Sequence, residues 1–270
     1  MQSKIELRAV ILDLAGTCVD YGSRAPVEAL VELFRRRGVT VDFACAREPM
    51  GLGKREHIAA LLARPEVADR WRAVHGGEPG AGDVEALYGE FVPLQIEVLT
   101  RSSRLIPGTV EAVEKLRAAG VRVGVTTGYN RAMMNVVLGE AARQGFHAEA
   151  AVCVEDVPAG RPAPWMIFRC LERLSVWPPA AAAAVGDTIP DVVAGRNAGC
   201  WSVGVAATGN LVGWSEEEAS HLPAATRRTA IREARRALRQ AGAHFVIDCV
   251  ADLDPLCTRL ARRLAAGRKP

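Results

Sequence analysis

Residues 8–17, with the sequence RAVILDLAGT, decide how the 270-residue chain is interpreted. The apolar run before Asp13 has the character of a strand buried inside a parallel sheet. A turn containing Gly16 follows at once, so we expect Asp13 at the carboxyl end of its strand. Ligands of open α/β sheets bind at this end of the strands. The stretch therefore predicts an α/β fold with Asp13 in the functional site.

The composition is that of an ordinary globular protein. Hydrophobic residues make up 49% and charged residues 24% of the chain, and the net charge of +3 is too small to demand a nucleic-acid partner. The seven cysteines include no C-x-x-C pair, which argues against a disulfide framework and against a zinc site. The chain begins without an apolar signal segment and has no apolar run of about 18 residues. We therefore expect a cytoplasmic protein with no membrane contact.

Helix and strand patterns divide the chain into two kinds of region. After the first strand, apolar spacing predicts only helices from 26 to about 101, with Asp83 as the N-cap of the last one. Further along, helices alternate with strands near 121–126, 150–154, 182–185, 201–205 and 245–247. This alternation predicts a doubly wound parallel sheet. We expect a discontinuous α/β core of residues 1–22 and 103–270 and an inserted helical cap of residues 23–102.

A second apolar run, residues 182–185, also leads into acids. Asp187 follows it directly and Asp191 comes four residues later. Mg²⁺ prefers oxygen ligands, so Asp13, Asp187 and the main-chain carbonyl near Ala15 are candidate metal ligands, with Asp191 behind them or bound through water. Asp187 and Asp191 could each simply cap the following helix. Three acids at adjacent strand ends would, however, repel one another without a bound ligand.

Two further features fit phosphate chemistry. Thr127 and Gly128 close the second strand of the core and offer a hydroxyl and main-chain N–H groups to an oxyanion. Arg161 stands in a loop held between two prolines, where a fixed guanidinium suits phosphate oxygens. An ordinary turn threonine and a solvated loop arginine are the alternatives.

The segment around Asp13, then Thr127, Arg161 and the run 186–191, resemble in this order the four motifs of the haloacid dehalogenase-like superfamily. The resemblance implies a Rossmann-like core, a cap inserted after the first strand, magnesium, and Asp13 as a nucleophile toward phosphorus. The superfamily's usual pattern has a second aspartate two residues after the nucleophile, which protonates the leaving group. This chain has Ala15 there, so it would serve an ordinary phosphate ester poorly.

Lys54 offers another way to assist the leaving group. It follows a turn broken by glycine and proline in the predicted cap. A lysine amine can form a Schiff base with a carbonyl substrate, and the protonated imine accepts electrons. Carbon could then leave phosphorus as an enamine, with no oxygen to protonate. The absent acid at position 15 and the lysine in the cap thus explain each other.

These features narrow the resemblance to the phosphonoacetaldehyde hydrolase, or phosphonatase, family. Nearly the full chain resembles it, through the segments 13–17, 19–22, 49–51, 126–129, 156–162, 195–199 and 242–245 together with Lys54 and His57. The resemblance implies hydrolysis of the carbon–phosphorus bond of phosphonoacetaldehyde to acetaldehyde and phosphate, through a Lys54 Schiff base and an Asp13 aspartyl phosphate. It also implies that His57 assists proton movement, that Met50 and Tyr129 contact substrate, and that the cap pairs two chains into a homodimer.

Three other functions compete with this one. A magnesium-dependent phosphomonoester phosphatase or a sugar-phosphate mutase of the same superfamily would need no lysine, and Ala15 argues against it. A non-catalytic scaffold would tolerate loss of the acids, yet all three are present. Nucleic-acid binding would use the arginines between 227 and 239, whose spacing is more typical of a solvated helix face.

Overall fold

The computed structural model describes residues 6–270, which form a six-stranded sheet covered by helices on both faces. The strands are β1 (Ala9–Leu12), β2 (Arg122–Thr127), β3 (Ala150–Cys153), β4 (Ala182–Gly186), β5 (Trp201–Val205) and β6 (Phe245–Ile247). They lie in the order β3-β2-β1-β4-β5-β6, and every neighbouring pair is parallel. The predicted doubly wound, Rossmann-like fold is confirmed, and the strand order reverses between β1 and β4, where such sheets bind ligands.

The strands are buried on both faces because small and β-branched residues alternate between two cores. Val10 and Leu12 face one core, which the helices after β2 and at the end of the chain share. Ala9 and Ile11 face the other core. All seven cysteines are free, and five of them are buried. Within residues 6–270, none of the helices combines the length and the apolar character needed to cross a bilayer.

Five helices follow β1 before the next strand of the sheet. They are α1 (Ala25–Arg36), α2 (Phe43–Arg47), α3 (Lys54–Leu62), α4 (Pro65–His75) and α5 (Ala81–Ser102). Helices α1 and α3 both pack against α5, and α3 also packs against α4. The predicted run of helices from 26 to about 101 is therefore confirmed, and it forms one packed helical block.

The remaining helices flank the sheet. They are α6 (Thr109–Ala118), α7 (Arg131–Arg143), α8 (Trp165–Arg173), α9 (Ile189–Asn197), α10 (Glu216–His221), α11 (Ala224–Gln240) and α12 (Leu253–Ala265). Helix α8 covers β2 and β3, and α9 covers β4 and β5. Helix α7 packs against α5, which joins the helical block to the helices that flank the sheet.

The structure corrects the predicted start of α5. Gly80, not Asp83, is its N-cap. Asp83 stands at the third position of the helix, where its carboxylate accepts a hydrogen bond from the Gly80 N–H at 2.8 Å. An acid at this position can reach back to the N-cap in this way. Within the predicted helical run, the sequence analysis did not separate α2 and α4 as helices of their own, and beyond that run it missed α10 and α12; α2 and α10 are too short for apolar periodicity to show.

Candidate active site

The sheet register brings three chain segments together at one edge. Leu12 pairs with Val125 of β2 on one side and with Val185 of β4 on the other. Asp13 therefore leaves β1 at the level where β2 reaches its threonines and β4 reaches Asp187. The Asp13 N–H donates to the Val185 carbonyl at 2.8 Å, which ties the acid to the end of β4. The predicted meeting of the two acidic strand ends is confirmed.

Three buried carboxylates form the centre of this edge. Oxygen atoms of Asp13, Asp187 and Asp191 all lie within 4.8 Å of one another. Asp187 Oδ2 accepts a hydrogen bond from the Asn210 N–H at 2.6 Å, while the buried Oδ1 has no partner among the described residues. Burial, together with the charge of Asp13, raises the pKa of Asp187 well above its ordinary value. Hard oxygen donors and an unpartnered buried oxygen fit a divalent metal ion.

Arg161 joins two of these carboxylates. Its Nη2 donates to Asp13 Oδ1 at 2.7 Å and to both the carbonyl and the hydroxyl of Thr126 at 3.0 Å. Its Nη1 pairs with Asp191 Oδ1 at 2.7 Å. Burial raises the pKa of Asp13 to about 6, and the guanidinium works against that shift. Arg161 thus keeps the candidate nucleophile ionised and oriented.

Asp191 serves the architecture as well as the charge. Its Oδ2 accepts the Thr188 N–H at 3.0 Å and also the Thr188 hydroxyl, which closes the first turn of α9. The helix-capping role that the sequence allowed for Asp191 is therefore present, alongside the ion pair with Arg161. Because both oxygens are engaged, Asp191 stands behind Asp13 and Asp187 in this arrangement.

Lys54 comes to the same place from the helical block. It opens α3 after the cap turn, residues 48–53, and only 6% of its surface is exposed. Its Nζ lies 4.0 Å from Met50 Sδ and 5.7 Å from the centre of the Tyr129 ring. Burial lowers the pKa of Lys54 to about 8; the charge of Asp13 opposes this shift and that of Arg161 adds to it. A useful fraction of the amine is then neutral near pH 7 to 8.

His57 lies one turn further along α3 and is fully buried. Its Nε2 lies 2.8 Å from the Ala46 carbonyl, and its Nδ1 has no partner among the described residues. Burial, and next the charge of Lys54, lowers the pKa of His57 to about 3. The ring is therefore neutral at pH 7. Its Nε2 carries the proton and donates a hydrogen bond to the Ala46 carbonyl.

One cleft is lined by most of these groups. The predicted site residues that line it are Asp13, Ala15, Met50, Lys54, Thr127, Gly128, Tyr129, Arg161 and Asp187. His57 and Asp191 are not among the lining residues and lie behind them. The Tyr129 hydroxyl is buried without a partner among the described residues, and burial raises its pKa well above the ordinary value, so it keeps its proton.

Comparison with known proteins identifies the relatives of this site. The pattern of the haloacid dehalogenase-like hydrolases matches residues 7–199. A phosphonoacetaldehyde hydrolase of Paraburkholderia phytofirmans is 45% identical over 98% of this chain and 99% of its own length. That of Nitratidesulfovibrio vulgaris is 43% identical over 98% of this chain and 94% of its own. The chain belongs to the phosphonoacetaldehyde hydrolase family.

A solved structure supports the same assignment for the fold. A phosphonoacetaldehyde hydrolase like protein from Oleispira antarctica superposes with a TM-score of 0.96 at 41% identity, and the match covers 98% of this chain and 96% of that one. As a member of the phosphonoacetaldehyde hydrolase family, this chain is an enzyme of the haloacid dehalogenase-like class.

The cleft of this phosphonoacetaldehyde hydrolase family member includes residues that the sequence analysis left out. They are Pro26, Gly51, Leu52 and Thr188, all of which line it, and Ser23, where the sequence departs from the family pattern, lines it as well. Gly51 and Leu52 stand next to the predicted Met50 and Lys54, so the motif itself held the signal. Asn210, which fixes Asp187, acts through its main-chain N–H. No residue type is needed for that contact, so the sequence carried no signal for it.

Proposed function

We propose that this chain hydrolyses the carbon–phosphorus bond of phosphonoacetaldehyde to acetaldehyde and phosphate. The relatives of the same length that carry this name support the proposal. The observation that carries it is the presence of both the Lys54 amine and the Asp13 carboxylate in the lining of one cleft, where position 15 offers only a methyl group. A site for ordinary phosphate esters would need an acid at that position, whereas an aldehyde substrate needs the amine.

Lys54 begins the reaction. Its neutral amine attacks the aldehyde carbon of the substrate, and the carbonyl oxygen leaves as water, which forms an imine. Burial of the side chain supports this role, because it lowers the pKa of Lys54 to about 8. The protonated imine places an electron-accepting nitrogen two bonds from the carbon that is joined to phosphorus. His57, held against Ala46 next to this amine, is proposed to assist proton movement.

Asp13 then takes the phosphoryl group. A carboxylate oxygen attacks phosphorus, and the electron pair of the carbon–phosphorus bond moves into a carbon–carbon double bond to give an enamine. Water next cleaves the aspartyl phosphate and releases phosphate. The enamine takes a proton on carbon, and water hydrolyses the resulting imine, which returns Lys54 and acetaldehyde. Ion pairing with Arg161 supports Asp13 as the nucleophile by favouring its ionised form.

The substrate is proposed to lie between the core and the cap turn. Thr127, Gly128 and Arg161 would receive the phosphonate oxygens, and Met50 and Tyr129 would contact the aldehyde end. Mg²⁺ is the proposed metal, held by Asp13, Asp187 and the carbonyl of Ala15, with Asp191 behind them; the donors and the unpartnered Asp187 Oδ1 support it. When bound, the ion would offset the negative charge of the phosphonate and the carboxylates.

The organisation of the whole chain is proposed on similar grounds. The packed helices α1 to α5 support a cap of residues 23–102 on a core of residues 1–22 and 103–270. Seven free cysteines support a reducing, cytoplasmic compartment. The family resemblance implies a homodimer formed through the cap, which light scattering of the purified protein tests.

Covalent trapping tests the proposed function. Sodium borohydride added with phosphonoacetaldehyde should label Lys54, because reduction fixes the imine as a stable amine. The Asp13→Asn variant should still be labelled but release no phosphate, since imine formation precedes phosphoryl transfer. The Lys54→Arg variant should show neither label nor phosphate.

Peptide mapping and a phosphate assay give the readouts. A label on another residue, or none in active enzyme, would refute the Schiff base. The alternative, a magnesium-dependent phosphomonoester phosphatase, instead predicts that Lys54→Arg still hydrolyses phosphate esters.

A further inference from the structure

Arg47, the last residue of α2, reaches from the helical block to the sheet domain. Its Nη1 donates to the Gly22 carbonyl at 2.7 Å, to the Asn210 side-chain oxygen at 2.9 Å and to the Asn210 main-chain carbonyl at 3.2 Å. Its Nη2 donates to the Gly213 carbonyl at 3.4 Å. Every acceptor is a carbonyl oxygen, so a half-buried cation is held by dipoles from two separate segments of the core.

The backbone of the core leaves room for this side chain. Gly213 has φ +68°, and a Cβ there would lie 2.7 Å from both Cζ and Nε of Arg47. A side chain at position 213 would therefore displace the guanidinium as well as strain the backbone. The shape of the 208–213 loop therefore accommodates the side chain of Arg47.

The same loop also contacts the carboxylate centre. The Asn210 N–H binds Asp187 Oδ2 at 2.6 Å. A Cβ on Gly209 would lie 2.5 Å from Asp187 Cβ, so the loop is packed directly on this acid. Asn210 thus touches Arg47 through its side chain and Asp187 through its main chain, which links the helical block to the candidate metal site.

On its other side, Arg47 leads into the cap turn. Its carbonyl accepts the Met50 N–H at 3.0 Å. The turn then meets the core closely at two more points: a Cβ on Gly51 would lie 2.5 Å from the Thr188 hydroxyl, and one on Gly128 would lie 3.2 Å from the Leu52 carbonyl. The turn is therefore held at one flank by the arginine and at its tip by these contacts.

We propose that Arg47 is a positioning residue: by binding the 208–213 loop, it holds the cap turn so that Lys54 stays in the cleft that Asp13 also lines. The role of Lys54 in this statement rests on the proposed function, whereas the anchoring of the turn does not. Loss of the guanidinium frees the turn, and water then reaches both the amine and the carbonyl groups that Arg47 now occupies.

Hydrogen exchange in Arg47→Met tests the proposal, with Arg70→Met as the matched control. Arg70 also donates to a carbonyl, that of Thr40, but inside the helical block. We expect exchange in residues 48–54 to become at least tenfold faster in Arg47→Met and to stay unchanged in Arg70→Met. We also expect kcat/KM for phosphonoacetaldehyde to fall about 10- to 100-fold, since a misplacement of about 1 Å costs on the order of 100-fold.

Two further variants separate positioning from a general loss of structure. Arg47→Lys, which keeps the charge but not the fork of donors, should recover part of both effects. Asn210→Ala keeps the main-chain bond to Asp187 and should speed exchange in 48–54 less than Arg47→Met does. The double variant should be no worse than Arg47→Met alone, because Arg47→Met already removes the side-chain contact that Asn210→Ala removes.

Each outcome of the exchange measurements either supports the role of Arg47 or overturns it. Exchange in residues 48–54 that is the same in Arg47→Met as in the wild type overturns it. If Arg47→Met does not fold, unchanged exchange in both Arg47→Lys and Asn210→Ala overturns it instead. Wild-type protein that fails to act on phosphonoacetaldehyde would refute the proposed function, while the exchange comparison would still decide the role of Arg47.

Discussion

At the scale of single residues, the burial of Lys54 is the feature with the largest chemical consequence. An amine in water is almost wholly protonated at pH 7 and cannot attack an aldehyde. With its pKa lowered to about 8, roughly one tenth of Lys54 is neutral at that pH. Burial favours this neutral form, the charge of Asp13 opposes it, and the charge of Arg161 favours it further.

The rate of imine formation should therefore follow the ionisation of Lys54. We expect the initial rate of labelling by phosphonoacetaldehyde and cyanoborohydride to rise about tenfold per pH unit up to pH 7 and to level off above about pH 8. Mass spectrometry of the labelled peptide at several pH values gives the measurement. A rate that still rises steeply above pH 9.5 would contradict the lowered pKa.

Burial of the lysine should also cost stability. A pKa lowered from 10.5 to about 8 corresponds to about 3 kcal/mol against folding, because the unfolded chain binds the proton more tightly. This cost is fully present below pH 8 and vanishes above pH 10.5. We expect Lys54→Met to raise the free energy of unfolding at pH 7 by on the order of 2 kcal/mol and to have less effect as the pH approaches 10.

Urea denaturation at the two pH values measures this difference. Lys115→Met is the control, since Lys115 is exposed and forms only a surface ion pair with Asp254. A Lys54→Met protein less stable than the wild type at pH 7 would show that the buried ammonium does not destabilise the folded state.

At the scale of elements, the cap turn before α3 fits closely against the core. Gly51 has φ +98°, and a Cβ there would lie 2.5 Å from the Thr188 hydroxyl. Gly76, after α4, has a similar φ of +79° but nothing within 4 Å of such a Cβ. A comparison of substitutions at the two glycines therefore distinguishes the effect of backbone strain from the effect of the fit between the cap turn and the core.

Substitution of each glycine by alanine tests this distinction. Both variants should lose about 1 kcal/mol of the free energy of unfolding from the left-handed backbone, and Gly51→Ala should lose more because its Cβ also meets Thr188. Gly51→Ala should in addition lower kcat/KM at least tenfold, because the turn must move away from Thr188, whereas Gly76→Ala should keep wild-type activity. Equal activity in the two variants would show that the cap turn can shift against the core without loss of activity.

At the scale of the whole molecule, the carboxylate centre ties ion binding to folding. Asp13 comes from a part of the chain distant from Asp187 and Asp191, so the three acids meet only in the folded state. An ion that binds this state alone stabilises it, by about 2.7 kcal/mol at a concentration 100 times its Kd. We expect Mg²⁺ to raise the Tm of metal-free protein by several degrees and Asp187→Asn to abolish that response.

Thermal unfolding with and without Mg²⁺ measures the response independently of catalysis. Asp254→Asn is a suitable control because Asp254 is a surface acid of α12. An equal rise in Tm for Asp187→Asn and the wild type would place the ion elsewhere.

Local patterns in the chain were enough to predict the sheet and the inserted helices, and together with the family resemblance, which supplied Met50 and Tyr129, they predicted most of the cleft. An apolar run that ends in an acid, as before Asp13, predicts both the strand and the position of the carboxylate at its end. Lys54 and Ala15 were informative because their chemistry differs from what a phosphate ester needs. These signals lie within a few neighbouring residues and survive without any knowledge of packing.

Folding alone decided which groups face one another and how dry they are. Arg161 binds Asp13 and Asp191, 148 and 30 residues away in sequence, and Arg47 binds a loop more than 160 residues away. The N–H group that binds Asp187 belongs to the main chain, so no residue type in the sequence indicates this contact. Distances and desolvation of this kind set the ionisation of Lys54, because they depend on the whole fold rather than on any local stretch of chain.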